Sequence, residues 1–210
     1  MKKFLLTTVA ILFAVMSSYA QFSNSSKSKS SGGGDIEWRG DINVGLAMGK
    51  LKNDNGKSDK SFYAPFITAN YGSQLNEYFY VGAGAGFKYL TGKITSDISM
   101  NAALLPIFVD LKAFYPVSDD LAPFIMLDLG YSIGLSSKIK YDDDSGYYIG
   151  MREETDAKIN GGFLMKAGVG VQYTKFTLGL GYEMQKLNSD YSDFKDISHN
   201  AFFFSLGYAF

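Results

Sequence analysis

A chain of 210 residues with no cysteine and a formal charge of −1 fits one domain, carries no disulfide framework and has no bulk field to draw in nucleic acid. Seventeen Phe, fifteen Tyr and 23 Gly stand against four Pro. That balance is odd for a globular α/β domain and suits a sheet with an aromatic-rimmed apolar face and a polar face behind it.

The first residues set the compartment. Lys2 and Lys3 precede an apolar stretch over 4–16 that only Thr7 and Thr8 interrupt, and Ser18-Tyr19-Ala20 puts small residues where a signal peptidase reads. This predicts a secretory signal peptide over 1–20, cleaved before Gln21. The stretch falls short of the roughly 20 apolar residues of a helical anchor, and the absence of cysteine excludes a lipoprotein. Residues 21–35, which contain SNSSKSKSSGGG, read as a flexible N-terminal linker. Beyond residue 20 no apolar run is long enough for a membrane helix.

From Ile36 the pattern switches to period two and stays there. The first strand puts Ile36, Trp38, Ile42, Val44, Leu46 and Met48 on one face and Glu37, Arg39, Asp41 and Asn43 on the other. The second, over 61–72, is aromatic on both faces, so alternation does not fix its register. The third turns Phe79, Val81, Ala83, Ala85, Phe87 and Tyr89 outward, with Tyr80, Gly82, Gly84, Gly86 and Lys88 inward. In the fourth, Leu105, Ile107, Val109, Leu111, Ala113 and Tyr115 face out, while Asp110 and Lys112 face in. The fifth sets Ile125, Leu127, Leu129, Tyr131 and Ile133 against inward Asp128, Gly130 and Ser132. The sixth sets Phe163, Met165, Ala167, Val169, Val171 and Tyr173 against Lys166 and Gln172. The seventh sets Phe176, Leu178, Leu180, Tyr182 and Met184 against Thr177, Glu183 and Gln185. The eighth ends the chain with Phe202, Phe204, Leu206, Tyr208 and Phe210 on its outer face.

Each stretch supplies about ten alternating residues, the length a tilted strand needs to cross a bilayer. The connections alternate. Those at 50–60, 92–100, 136–160 and 188–200 are long, and those at 73–78, 116–120 and 174–175 are short. Short turns on one side and long loops on the other are the pattern of an outer-membrane barrel. The expected fold is therefore all-β: a closed, antiparallel, up-and-down transmembrane β-barrel of eight strands over 36–210. An even count puts both strand termini on the periplasmic side. The four prolines are expected at strand ends, Pro65 and Pro106 near loop ends and Pro116 and Pro123 about a turn, because a ladder cannot spare their missing N–H.

Phe210, with Tyr208, Leu206 and Phe204 at alternate positions before it, resembles the C-terminal insertion signal of bacterial outer-membrane barrels. With the segments YVGAGAGF (80–87) and LPIFVDLKAFYPV (105–117), the chain resembles the OmpA/OmpX-like small-barrel superfamily. It is similar in particular to the Bacteroidetes-type "outer membrane protein β-barrel domain" or "porin family" proteins. The resemblance implies location in the cell outer membrane and contact with outer-membrane lipids, lipopolysaccharide and the barrel-insertion machinery. It implies no activity and supplies no catalytic residues.

The inward charges Arg39, Asp41, Lys88, Asp110, Lys112, Asp128, Lys166 and Glu183 are mixed in sign. An eight-stranded barrel is just wide enough for side chains to fill it, and buried charges need partners. These residues therefore read as a cross-strand network that fills the lumen, with a structural role. The inward glycines, Gly82, Gly84, Gly86, Gly168, Gly170, Gly179 and Gly181, would leave room for small water pockets. The single histidine, His199, adjoins Ser198, but neighbours on a strand face opposite ways. No convergent nucleophile, base and orienter is visible, so no enzyme and no cofactor is expected. Asp142-Asp143-Asp144-Ser145-Gly146 misses the calcium-loop spacing by one position, so it reads as a solvated acidic loop and not as a metal site. The expected role is structural or surface-interacting, with a narrow solute channel as the alternative and a lipid-modifying enzyme behind both. The mature protein should fractionate with outer membranes and migrate differently in detergent gels before and after boiling. Recovery as a soluble periplasmic protein would contradict the barrel.

Overall fold

The computed structural model describes residues 37–53, 56–57, 61–93, 98–141, 153–156, 159–189 and 196–210. The expected signal peptide and linker, Ile36, and the acidic third loop from Asp142 to Gly146 lie outside the described residues. The strands are β1 (Glu37–Asn53), β2 (Gly56–Lys57), β3 (Phe62–Gln74), β4 (Phe79–Lys93), β5 (Ile98–Phe114), β6 (Leu121–Tyr141), β7 (Glu153–Asp156), β8 (Ile159–Tyr173), β9 (Phe176–Ser189) and β10 (Asp196–Ala209). Eight of them pair antiparallel in the order β1-β3-β4-β5-β6-β8-β9-β10, and β10 pairs back onto β1 to close the barrel. The short β2 and β7 extend the sheet from β1 and β6.

The ladder decides how the alternation is spent. Odd positions of β1 turn Asp41 into the lumen, while Trp38, Val44 and Met48 stay exposed on the outer wall. The same sorting holds on β4, β5, β6, β8, β9 and β10, where Val81, Val109, Leu129, Val169, Leu180 and Leu206 face out. β3, left open by its sequence, resolves with Phe62, Ala64, Phe66, Thr68 and Asn70 inward and Tyr63, Ile67 and Tyr71 outward. Two aromatic girdles bound the outer apolar band. Trp38, Tyr71, Phe79, Tyr115, Tyr173, Phe176 and Tyr208 lie at the short-turn end, and Tyr63, Tyr89, Tyr131, Phe163, Tyr182 and Phe202 lie nearer the loops. Phe79 and Tyr89 are ten residues apart on β4. At about 3.4 Å per residue and a tilt near 40° this spans roughly 26 Å, the height of an outer-membrane apolar belt.

Three expectations change. Strands run 13 to 21 residues across the barrel, not about ten. Much of 50–60, 92–100, 136–160 and 188–200 is therefore ladder, and only residues 94–97 separate β4 from β5. Above the membrane the outer face meets water, so the apolar alternation stops while the hydrogen bonds continue. Pro65 and Pro106 lie inside strands, opposite Leu46 and Ser132. Each coincides with a gap in a ladder to β4: pairing skips between Tyr63↔Thr91 and Phe66↔Lys88, and between Ala85↔Ile107 and Lys88↔Leu104. A residue without an N–H is tolerated where the ladder is already interrupted, as it is beside the β5 bulge at Ala103/Leu104. A second irregularity, between Ile159 and Gly161, uses Gly161 at φ +116, a conformation that side chains resist.

Outward positions near mid-band should reject charge. Leu129→Arg and Val169→Arg are expected to cost about 2–4 kcal/mol in urea titrations of the barrel refolded in liposomes. Wild-type midpoints for both variants would contradict the register.

Candidate functional site

The lumen is built from the inward row of each strand, and it has layers. At the short-turn end Arg39 donates to Gln74 Oε1 at 3.1 Å and to Gln172 Oε1 at 2.6 Å. Its guanidinium lies 5.1 Å from the Phe114 ring and 5.8 Å from the Tyr80 ring, and Tyr80, Phe114 and Phe124 pack as one buried cluster. Arg39 thus spends its donors on amides and its face on rings.

The middle layer holds the remaining inward charges, all buried. Lys112 Nζ reaches Asp41 Oδ2 at 2.5 Å and Asp110 Oδ2 at 2.9 Å. Asn70 Nδ2 donates to Asp110 Oδ2 at 2.5 Å, and Asn43 donates to Asp41. Lys88 pairs with Glu183 and donates to Gln185 Oε1 at 2.9 Å. Lys166 Nζ lies 3.8 Å from Asp128 Oδ2 and sits over the Phe66 and Phe203 rings at 4.3 and 4.7 Å. Register adds a further order. Asp110, Asp128, Lys166 and Glu183 stand directly opposite one another on β5, β6, β8 and β9. Two carboxylates facing across a strand pair repel, and Lys112 and Lys166 each hold one of them.

Two of these ion pairs, Lys112–Asp41 and Lys88–Glu183, join strands that are not neighbours, so they run through the lumen. Of these lysine–carboxylate pairs, Lys166–Asp128 is the one that joins neighbouring strands. The tube is narrow enough for a lysine stem to cross it.

Toward the loops the lining turns apolar. Phe62, Leu90, Leu104 and Leu187 are fully enclosed, and Ala47, Met100, Ile139, Ile159, Ile197 and Phe203 pack with them. This layer was not foreseen. It was legible in principle, because the inward row of each strand, followed past the membrane belt, runs into Leu90, Leu104, Leu187 and Ile197. Most of the inward glycines do not leave the small water pockets expected of them. A Cβ at Gly84 would meet the Phe108 ring at 2.7 Å, one at Gly168 the Phe203 ring at 2.9 Å, and one at Gly170 would strike the Phe124 ring. Glycine here makes room for aromatic neighbours. The exception is a cavity of about 20 Å³ bordered by Asn70, Lys112, Asp128, Lys166, Gly179 and Ser205, space for about one water molecule.

His199 lies beneath the apolar layer, fully buried, with Nδ1 3.7 Å from Glu183 Oε1. Ser198 is on the opposite face of β10, so the two do not converge. Gln185, buried beside them, joins the Lys88–Glu183 pair and was not among the residues singled out from sequence. On the outer wall Phe204, Leu206 and Tyr208 are exposed together, and Phe210 follows the last residue of β10.

Lys88→Met leaves Glu183 buried without its cation and should cost about 3–5 kcal/mol. Lys88→Met with Glu183→Leu should recover most of that loss in unfolding midpoints, because neither charge then needs solvating. A double variant as unstable as the single would show that the pair is not what holds this layer.

Residues 7–210 match the family described as outer membrane protein beta-barrel domain. No curated protein sequence matches the chain. Among solved structures, Ail, the attachment invasion locus protein of Yersinia pestis, is similar at 16% identity and TM-score 0.50, covering 83% of this chain and 99% of Ail. Neisserial surface protein A is 12% identical with TM-score 0.48, over 84% of this chain and 99% of that one. The outer membrane enzyme PagL is 13% identical with TM-score 0.42, over 79% and 97%. At these identities the likeness is one of fold.

Proposed function

The chain belongs to the outer membrane protein β-barrel domain family, and from that premise we propose that it is a non-conducting, non-enzymatic barrel with a structural or surface-interaction role. Its N-terminal segment would direct export. One observation supports this reading above others: the lumen is closed three times over. Arg39 and its rings stand at the turn end, the ion-paired belt in the middle, and the apolar layer of Phe62, Leu90, Leu104 and Leu187 toward the loops. An ion entering this path would have to separate buried pairs and then cross a dry apolar layer, which offers it no ligands. A buried His199 with no hydroxyl partner beside it and no open approach gives no support to hydrolysis. What remains for the barrel to do is to hold its place in the membrane and present its loop end.

Planar-bilayer recording of the purified, refolded barrel tests this. No steady conductance is expected from the wild type, nor from Leu104→Ala, which thins only one of three layers. Large, stable open-channel currents from the wild type would replace this reading with a solute channel.

A further inference from the structure

The outer wall is uneven on one side. Across β8, β9 and β10 a groove of about 400 Å³ runs between Ala167, Val169, Leu180, Gly181, Tyr182 and Phe202, and its exposed lining is almost wholly apolar. Its floor is open because the outward position on β8 between Tyr182 and its neighbours is Ala167, which carries only a methyl group. Its upper wall is the Tyr182 and Phe202 rings, which meet edge to face at 5.4 Å and 73°.

Directly toward the loop end, the outward row changes character. Phe202 pairs with Met48 and Tyr182. Two residues higher, Asn200 pairs with Lys50 and Met184, and two higher again Ser198 stands between Lys52 and Lys186. Lys50, Lys52 and Lys186 are all exposed, and none has an ion-pair partner among the described residues. Lys52 and Lys186 are two strand spacings apart, roughly 9.6 Å at Cα, so both ammonium groups can reach one anion. The first acidic residue on this stretch of β10, Asp196, comes two positions further toward the loop. The row begins about 7 Å above the Tyr182–Phe202 wall along the strand, where a lipid headgroup lies if its chain fills the groove.

We propose that this face binds lipid A, the phosphorylated, multiply acylated glycolipid of the outer leaflet: one acyl chain in the Ala167–Phe202 groove and a phosphate on Lys50, Lys52 and Lys186. The occupant follows from the combination. The groove alone would accept any acyl chain or a second barrel, and the lysines alone any anion. An apolar slot with a fixed cationic row over its mouth, at the end opposite the short turns, matches a phosphorylated lipid of the outer leaflet. The site rests on outer-membrane residence but not on the closed lumen. A lost site would leave conductance unchanged, and an open lumen would leave the site intact.

The test uses the full mature barrel in phosphatidylcholine nanodiscs with added lipid A, read by native mass spectrometry and by the thermal midpoint. Wild type should retain one lipid A and gain stability. The K50Q/K52Q/K186Q variant, whose substitutions lie outside the apolar belt, should bind at least tenfold more weakly while keeping heat-modifiable gel mobility. Lipid A stripped of its phosphates should bind wild type as weakly as lipid A binds that variant. A167F, which fills the groove, should weaken binding with all three lysines in place, and K175Q at the turn end should change nothing. Three results would overturn the proposal: undiminished binding by K50Q/K52Q/K186Q, equal retention of phosphatidylglycerol by wild type, or a barrel dimer that A167F dissolves while lipid A has no effect.

Discussion

The constraint beneath everything else is that lipid offers no hydrogen bonds. Every backbone N–H and C=O in the membrane must find its partner inside the sheet, and an open edge would leave a row of them unpaired. Here the debt is settled by the pairing of β10 with β1, twelve residues deep from Asp41↔Ala209 to Lys52↔Ser198. Once the ladder is closed, the positions of the two prolines follow. Pro65 and Pro106 can sit within strands only because the pairing to β4 is interrupted beside each. Closure at eight strands also fixes the bore, and the bore sets the terms for every inward side chain.

Those terms are strict because the tube is too narrow for bulk water. Lysines there reach across to carboxylates on non-neighbouring strands, as Lys112 does to Asp41 and Lys88 to Glu183. Such pairs do not by themselves make the barrel more stable than an apolar filling would. What they do is fix geometry, since a slip of one strand would leave a buried charge without a partner. The rings over Lys166 and beneath Arg39 serve the same end, giving each cation a second, weaker hold. Glycine at Gly84, Gly168 and Gly170 is the complement of this packing, because the rings of Phe108, Phe203 and Phe124 occupy the space a side chain would take.

The two ends of the barrel differ in kind. Tight turns, among them the two-residue Thr174-Lys175 connection, close one end, with Arg39 and its aromatic cluster inside. At the other end the strands rise beyond the apolar belt, the interior becomes an apolar core, and the outer wall carries lysines above an aromatic rim. On the function we propose, such a barrel transmits little through its middle, and its chemistry lies on its surfaces, the lipid-facing wall and the loop end.

Legible in the sequence were the fold class, the closed eight-stranded topology, and the inward or outward sense of seven of the eight strands. Period-two alternation is a local property, and lipid on one side with a filled lumen on the other writes it strongly. It also picked out the eight inward charges, since a lone Lys166 or Asp128 in an apolar strand can face only one way. The tertiary structure alone decided which charge meets which. That depends on the distance across the bore, and no spacing along the chain encodes it. Likewise it decided the register of β3, where Phe62, Tyr63, Phe66 and Tyr71 made both faces look alike until the neighbours chose. The apolar layer and the true strand lengths belong to the same class. Above the membrane the outside is water, the alternation that marks a strand fades, and only the continuing ladder shows that Leu90, Leu104 and Leu187 still point inward together.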